Sequence, residues 1–175
     1  KITKKVIDNT LWQLKTTNHN ISINLSAIDI EDKGTRVHLI KAFGNCPEIS
    51  SRLTFELLED EIFKNYDLLY AFINDSKQRG IKIAIDDFGT GYSNFERLQD
   101  FQPDILKIDG SLVKNIVENE YCRNIVETIH SFAKKLDVKT VAEFVSNKET
   151  FDAVREIGID YAQGYYIGEP REVFI

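Results

Sequence analysis

The sequence predicts an α/β protein whose parallel strands close into part of a barrel, and three observations carry that expectation. Short strands alternate with helices along the chain, which is the pattern of βαβ units around a parallel sheet. No GxGxxG or GxxxxGK[ST] loop follows the first strand, as it would in a nucleotide-binding open sheet. Five strands end, on their polar faces, in an acid, an amide or a lysine, and barrel enzymes build their sites at those ends.

Taken in order, residues 3–17 read as an amphipathic helix, with Val6, Ile7, Leu11 and Leu14 on one side. Ile21–Leu25 alternates as a strand does, residues 35–44 suit a short helix, and Leu53–Leu57 alternates again. Residues 61–79 repeat Leu68, Leu69, Phe72 and Ile73 at helical spacing, and Gly80 stands where a C-terminal cap belongs. Ile81–Asp86 is the strongest strand, followed by the Gly-containing loop Asp87–Gly91 and a short helix near Ser93–Asp100. Pro103 introduces the strand Ile105–Ile108. The helix 119–136, the strand Val138–Ala142, the helix 147–157 closed by Gly158 and the short strand Tyr161–Gln163 complete the series. No linker, low-complexity stretch or repeat interrupts it, so residues 1–175 are expected to form a single domain.

Composition narrows the function. Lys plus Arg number 22 against 28 Asp plus Glu, a net charge of -6, which argues against a partner that is a nucleic-acid polymer. The two cysteines, Cys46 and Cys122, form no CxxC motif or Cys/His cluster, so neither a zinc site nor a disulfide framework is indicated. Free thiols suit a reducing compartment. With no signal-peptide pattern and no apolar run of bilayer length, the expected location is cytoplasmic, any membrane anchor lying on a flank. The lack of methionine and the start inside a helix suggest a piece of a longer protein.

The pleat sorts each strand into two faces. Ile81, Ile83 and Ile85 oppose Lys82, Ala84 and Asp86; Leu53, Phe55 and Leu57 oppose Thr54 and Glu56; Ile21, Ile23 and Leu25 oppose Ser22 and Asn24. Lys107 and Glu143 hold matching positions on later strands, and Gln163 follows the last. The strand ends therefore offer Asn24, Glu56, Asp86, Asp87, Lys107, Glu143 and Gln163. Oxygen donors without thiolate or imidazole select Mg²⁺ or Mn²⁺. Adjacent Asp86 and Asp87 could bridge two ions, the clamp that serves in-line attack of water on phosphorus. For Glu59, Asp109 and Ser111 a helix-cap or loop role weighs equally with a role in the site. Asp87-Phe88-Gly89 lacks the Gly-rich lid and HRD-type loop of a kinase. His19, His38 and His130 read as structural, and the sequon Asn24-Leu25-Ser26 as chance in a strand.

At these residues the chain resembles a known family. Asp86-Asp87-Phe88-Gly89-Thr90-Gly91-Tyr92-Ser93 is similar to the central signature of EAL domains, the bacterial cyclic-di-GMP phosphodiesterases. Asn24-Leu25-Ser26 resembles the family's NLS, Phe55–Glu59 its ExxE strand, Leu106–Asp109 its LKID, Val141–Glu143 the start of its AEGVE, and Gln163–Tyr165 its QGY. The resemblance runs from about Ile21 to Pro170 in the family's order. It implies a modified TIM (β/α)8-type barrel, incomplete because the first strand lies upstream of Lys1. It implies that Asn24, Glu56 and Asp86 ligate one ion and Asp86, Asp87 and Glu143 a second. Lys107 would orient or help deprotonate the water, Glu59 would pin the loop after Asp86, and Asp109 and Gln163 would meet substrate.

The implied reaction opens cyclic-di-GMP to linear pGpG. The family also implies fusion to sensory or GGDEF domains and homodimers. Three departures stand out. The EAL glutamate would lie upstream of Lys1, so this fragment alone is expected to be inactive. The glycine after the AE glutamate is Phe144, and the motif's second glutamate is Ser146. The alternative is a degenerate EAL domain acting as a non-catalytic cyclic-di-GMP receptor or protein-interaction module.

Overall fold

The structure, a computed structural model, describes residues 2–44, 46–62, 66–89 and 95–171. Helices and strands alternate throughout, so the α/β class holds. The strands are β1 (Ile21–Asn24), β2 (Leu53–Leu58), β3 (Lys82–Phe88), β4 (Ile105–Ile108), β5 (Lys139–Ala142) and β6 (Tyr161–Ala162), and their order in the sheet follows the chain. The helices are α1 (Ile2–Thr16), α2 (Ala27–Glu31), α3 (Lys33–Phe43), α4 (Pro47–Ser50), α5 (Glu59–Ile62), α6 (Tyr66–Gln78), α7 (Phe95–Phe101), α8 (Gly110–Val113), α9 (Glu120–Lys135) and α10 (Lys148–Ile157). The chain divides into two compact units, residues 1–85 and 86–175.

In residues 1–85, β1 and β2 pair in parallel, Ile21 with Leu53 through Asn24 with Glu56. The apolar face assigned from the pleat is the buried one: Ile23, Leu25, Leu53, Phe55 and Leu57 are each at most 3% exposed. Phe72 of α6 stacks on Phe55 with ring centroids 5.6 Å apart. Burial of each such side chain is worth about 1.5–3 kcal/mol, which fixes the register, since a one-residue slip would turn the set outward. Arg52 closes the C-terminal end of α1, donating from Nη1 to the carbonyls of Thr17 (2.7 Å) and His19 (3.1 Å). His38 meets Asp8 at 2.7 Å, the structural role expected of it.

In residues 86–175, β4 pairs with β5 and β5 with β6, all parallel. Asn119 caps α9 by accepting from the backbone N–H groups of Tyr121 and Cys122. Cys122, Val126, Ile129 and Ala133 then recur at helical spacing as its buried stripe. Asn147 caps α10, and Gly158 ends it in the left-handed conformation at φ 92°. Among the described residues no helix is long and apolar enough to cross a membrane.

Several expectations shift. Asp87 and Phe88 belong to β3 rather than to the loop after it. The helix expected over 61–79 is α5 and α6, with residues 63–65 outside the described set, as are Ser93 and Asn94 at the start of the helix expected near 93–100. Of the elements not expected, α2 is opened by a capping box in which Ser26 and Asp29 satisfy each other's backbone N–H. Short α4 and α8 carry too little periodicity to be read from sequence.

At the start of β5, fully buried Thr140 ties three elements together. Its N–H and its hydroxyl both donate to Asp160 Oδ2, at 2.9 and 3.0 Å, and His130 Nδ1 of α9 lies 2.9 Å from the hydroxyl. Lys139 Nζ adds a 2.8 Å ion pair to Asp160. Burial pushes the Asp160 carboxyl up, but the Lys139 ammonium and both Thr140 donors outweigh it and hold the group below its ordinary 3.8. A depressed carboxyl contributes stability that is present above the unfolded-state value and lost as pH falls through the folded one. The stability gap between wild type and Asp160→Asn should therefore be widest at neutral pH and shrink as pH drops through and below 3.8, read from urea midpoints across that range. A gap independent of pH would remove the charge from the account.

Past the end of β6, Gly164 sits at φ 154° so close to the segment that follows β5 that a Cβ would overlap the Val145 backbone. The same approach allows Val145 N–H to donate to the Gln163 carbonyl at 3.0 Å and Tyr166 N–H to the Val145 carbonyl at 3.1 Å. Gly164→Ala should destabilise the protein by at least about 1 kcal/mol, measured by denaturant titration.

Candidate metal and phosphodiester site

The site in residues 86–175 is assembled from the ends of three strands. Phe88 of β3 is buried at 0% exposure, and half-buried Asp86 stands on the polar face the pleat assigns to it. In a regular strand Asp87 would point to the opposite side from Asp86. It does not, because Asp87 takes φ 56°, in the left-handed region, and leaves the extended conformation. Its N–H donates back to Asp86 Oδ1 at 3.1 Å. Two consecutive carboxylates thus serve one site.

Lys107 lies within β4 between Leu106 and Ile108, in register with Val141 of β5, and is itself only 6% exposed. Its Nζ is 2.8 Å from Asp86 Oδ1 and 3.0 Å from Glu143 Oε1. Glu143, 7% exposed, is held just past β5 by its N–H donating to the Ile108 carbonyl at 3.2 Å. Oxygens of Asp86, Asp87 and Glu143 all lie within 4.8 Å of one another.

One ammonium does not balance three acids. Burial raises the Asp87 carboxyl above its ordinary value, and the charges of Asp86 and Asp109 and a hydrogen bond with Asp109 add to that against the pull of Lys107. Glu143 is raised as well, chiefly by burial and with help from Asp86 and Asp87, although Lys107 draws it down. Carboxylates strained upward in this way favour a further cation. The donors are all oxygen, which suits a hard divalent ion such as Mg²⁺ or Mn²⁺.

The other expected site residues fall as follows. In residues 1–85, Asn24 at the C-terminal end of β1 is the register partner of Glu56, two residues before the end of β2. Glu59 opens α5 and is 3% exposed. Asp109 bonds Asp87 and also caps α8, accepting from the Ser111 N–H at 2.8 Å. For Asp109 and Ser111 the cap role is therefore real. Gln163 is anchored by its N–H donating to the Ala142 carbonyl at 2.8 Å. Together with Glu143, Lys114, Phe144, Ser146 and Tyr165 it lines a cavity of about 510 Å³. Thr90–Ser93 of the central signature lie outside the described residues.

Lys114 and Tyr165 border this cavity; the sequence points to Tyr165 only as the last residue of the motif resembling QGY, and to Lys114 not at all. Lys114 could have been found only by knowing that a single helical turn, α8, follows β4. His130 is structural, bound to Thr140, and not part of the site.

An EAL domain model matches residues 1–170. The chain is 36% identical over 171 residues to cyclic di-GMP phosphodiesterase PdeF of Escherichia coli (strain K12), a match that takes in 95% of this chain and 23% of that protein. It thus spans under a quarter of that relative's length. Among solved structures, the PaMucR phosphodiesterase in complex with c-di-GMP superposes with a TM-score of 0.88 at 27% identity, over 97% of this chain and 71% of that one. Klebsiella pneumoniae BlrP1, in a manganese/cy-diGMP complex, gives 0.80 at 28% identity over 93% of this chain and 42% of that one. The fold is accordingly the incomplete TIM-type barrel that the family resemblance implied. A match that runs from the first residue to Pro170 and takes in every strand end described above shows that this chain belongs to the EAL domain family.

Proposed function

We propose that this chain belongs to the catalytic domain of a metal-dependent phosphodiesterase that opens cyclic-di-GMP to the linear dinucleotide pGpG, an activity carried by the full-length protein rather than by this fragment alone. The observation that carries the reading is the cluster of Asp86, Asp87 and Glu143 around the Lys107 ammonium. Family membership supports it, as do relatives named cyclic di-GMP phosphodiesterases and solved relatives complexed with the dinucleotide and with manganese.

Asp86, Asp87 and Glu143 would hold one divalent ion, and within residues 1–85 the register partners Asn24 and Glu56 are the candidate ligands of a second. When bound, such ions acidify water and neutralise charge on the phosphodiester. The chain's residues do the rest. Lys107, hydrogen-bonded to two carboxylates, orients the attacking water rather than wandering as a solvated side chain. Glu143, whose carboxylate lies 3.0 Å from the Lys107 ammonium, accepts the proton of the water. Attack on phosphorus then breaks one P–O3′ bond and leaves a 5′-phosphate and a free 3′-hydroxyl. Asp109 and Gln163 contact the substrate. Fusion to sensory or GGDEF domains and homodimerisation belong to this reading.

Phe144 and Ser146, in place of the family's glycine and second glutamate, favour a second reading in which the domain binds cyclic-di-GMP without cutting it. Product formation separates the two. The full-length protein with Mg²⁺ or Mn²⁺ should release the linear dinucleotide, and Asp86→Ala should lower the rate by roughly 100-fold or more, as expected when a metal's ligand set is broken. Binding without product in the wild type would hand the case to the receptor.

Charge crowding gives a second test. Asp87→Asn keeps a residue that tolerates φ 56° while removing one like charge. Without metal its melting temperature should rise by roughly 2–4 °C, the shift equivalent to about 1 kcal/mol in a domain of this size. The gain that saturating Mn²⁺ confers on the wild type should be smaller in the variant.

A further inference from the structure

Phe144 is an expensive residue where it stands. It sits at φ 55°, a conformation that glycine adopts freely and a bulky side chain resists. Its ring lies against α8, and a Cβ on Gly110 would overlap it. Lys114 is four residues further along that single turn, on the same side, and its Nζ stands 4.1 Å from the ring centroid. The ring is thus held from one side by a glycine that leaves room and a cation that attracts its π face. Even so, Phe144 remains 54% exposed, and it borders the cavity shared with Glu143, Gln163 and Tyr165. A side chain recruited for core packing would be covered. This one is oriented, strained and left open, one residue away from a carboxylate of the proposed catalytic cluster.

We infer that Phe144 is a stacking platform for one guanine base of cyclic-di-GMP, oriented by Lys114 and given its space by Gly110. The inference rests on the proposed substrate and adds a specificity-determining residue to it. A purine offers a flat π face of the size an open phenyl ring can cover, and such stacking needs no hydrogen-bond partner at the position. The base would enter the cavity over Phe144, leaving its phosphate near Glu143. Gly110 and Lys114 act through Phe144 and are positioning residues.

The test is cyclic-di-GMP affinity of the full-length protein, titrated in Ca²⁺ to suppress turnover, for the wild type, Phe144→Leu, Phe144→Tyr and Gly110→Ala. Loss of one base–aromatic stack should weaken binding of Phe144→Leu by roughly 5- to 150-fold. Phe144→Tyr, which keeps the ring, should stay within a few-fold of the wild type. Gly110→Ala, which displaces the ring, should resemble Phe144→Leu. A parallel Mn²⁺ titration without nucleotide should give the same metal affinity for Phe144→Leu as for the wild type. If the wild type fails to bind cyclic-di-GMP, the proposed function falls and the platform falls with it. If the wild type binds and Phe144→Leu binds equally well, the function stands and the platform is overturned. Equal losses of metal and nucleotide affinity would also overturn it, because Phe144 would then act through Glu143.

Discussion

The constraint on which this site depends is charge balance around Lys107. Three carboxylates whose oxygens come within 4.8 Å of one another repel by about 3–4 kcal/mol per pair at the effective dielectric of a partly buried site. A single ammonium, wedged between Asp86 and Glu143, meets part of that. Burial, with the neighbouring carboxylates adding to it, raises the carboxyls of Asp87 and Glu143. An arrangement of this kind favours a further cation beside the carboxylates.

The fold supplies the geometry through backbone features more than through side-chain contacts. Parallel registry brings Lys107 opposite Val141 and carries Glu143 to the Ile108 carbonyl. The left-handed turn at Asp87 then breaks the alternation that would have sent its carboxylate away from Asp86. Asp109, capping α8 while bonding Asp87, couples the start of that helical turn to the carboxylate beside it. Asp86 and Asp87 come from β3 and Glu143 from the segment past β5, so no single loop has to carry the whole constellation.

Much of this was legible in the sequence, for physical reasons. Ile81, Ile83 and Ile85 against Ala84 and Asp86 is a pattern only a strand satisfies, and the burial of those isoleucines follows it. Lys107 and Glu143 could be aligned because strand ends are marked by Pro103 and by the break after Ala142. What escaped was set by backbone geometry. The positive φ of Asp87 has no signature beyond the residue type, since aspartate visits that region more readily than most. α8 is one turn long, too short for periodicity to show, so Lys114 could not be placed beside Phe144. The open question over Asp109 had a real basis, because the residue both caps a helix and bonds a site carboxylate.

The knot of Thr140, Asp160 and His130 lies at the beginning of β5, whereas Glu143 lies just past its end. Parallel strands put their starts on one rim and their finishes on the other, so the two ends of this short strand carry separate duties. Amino-acid changes at the starting rim should be felt as less folded protein with unaltered chemistry, and changes at the finishing rim as folded protein with altered chemistry. A strand of four residues is enough to keep those two kinds of damage apart.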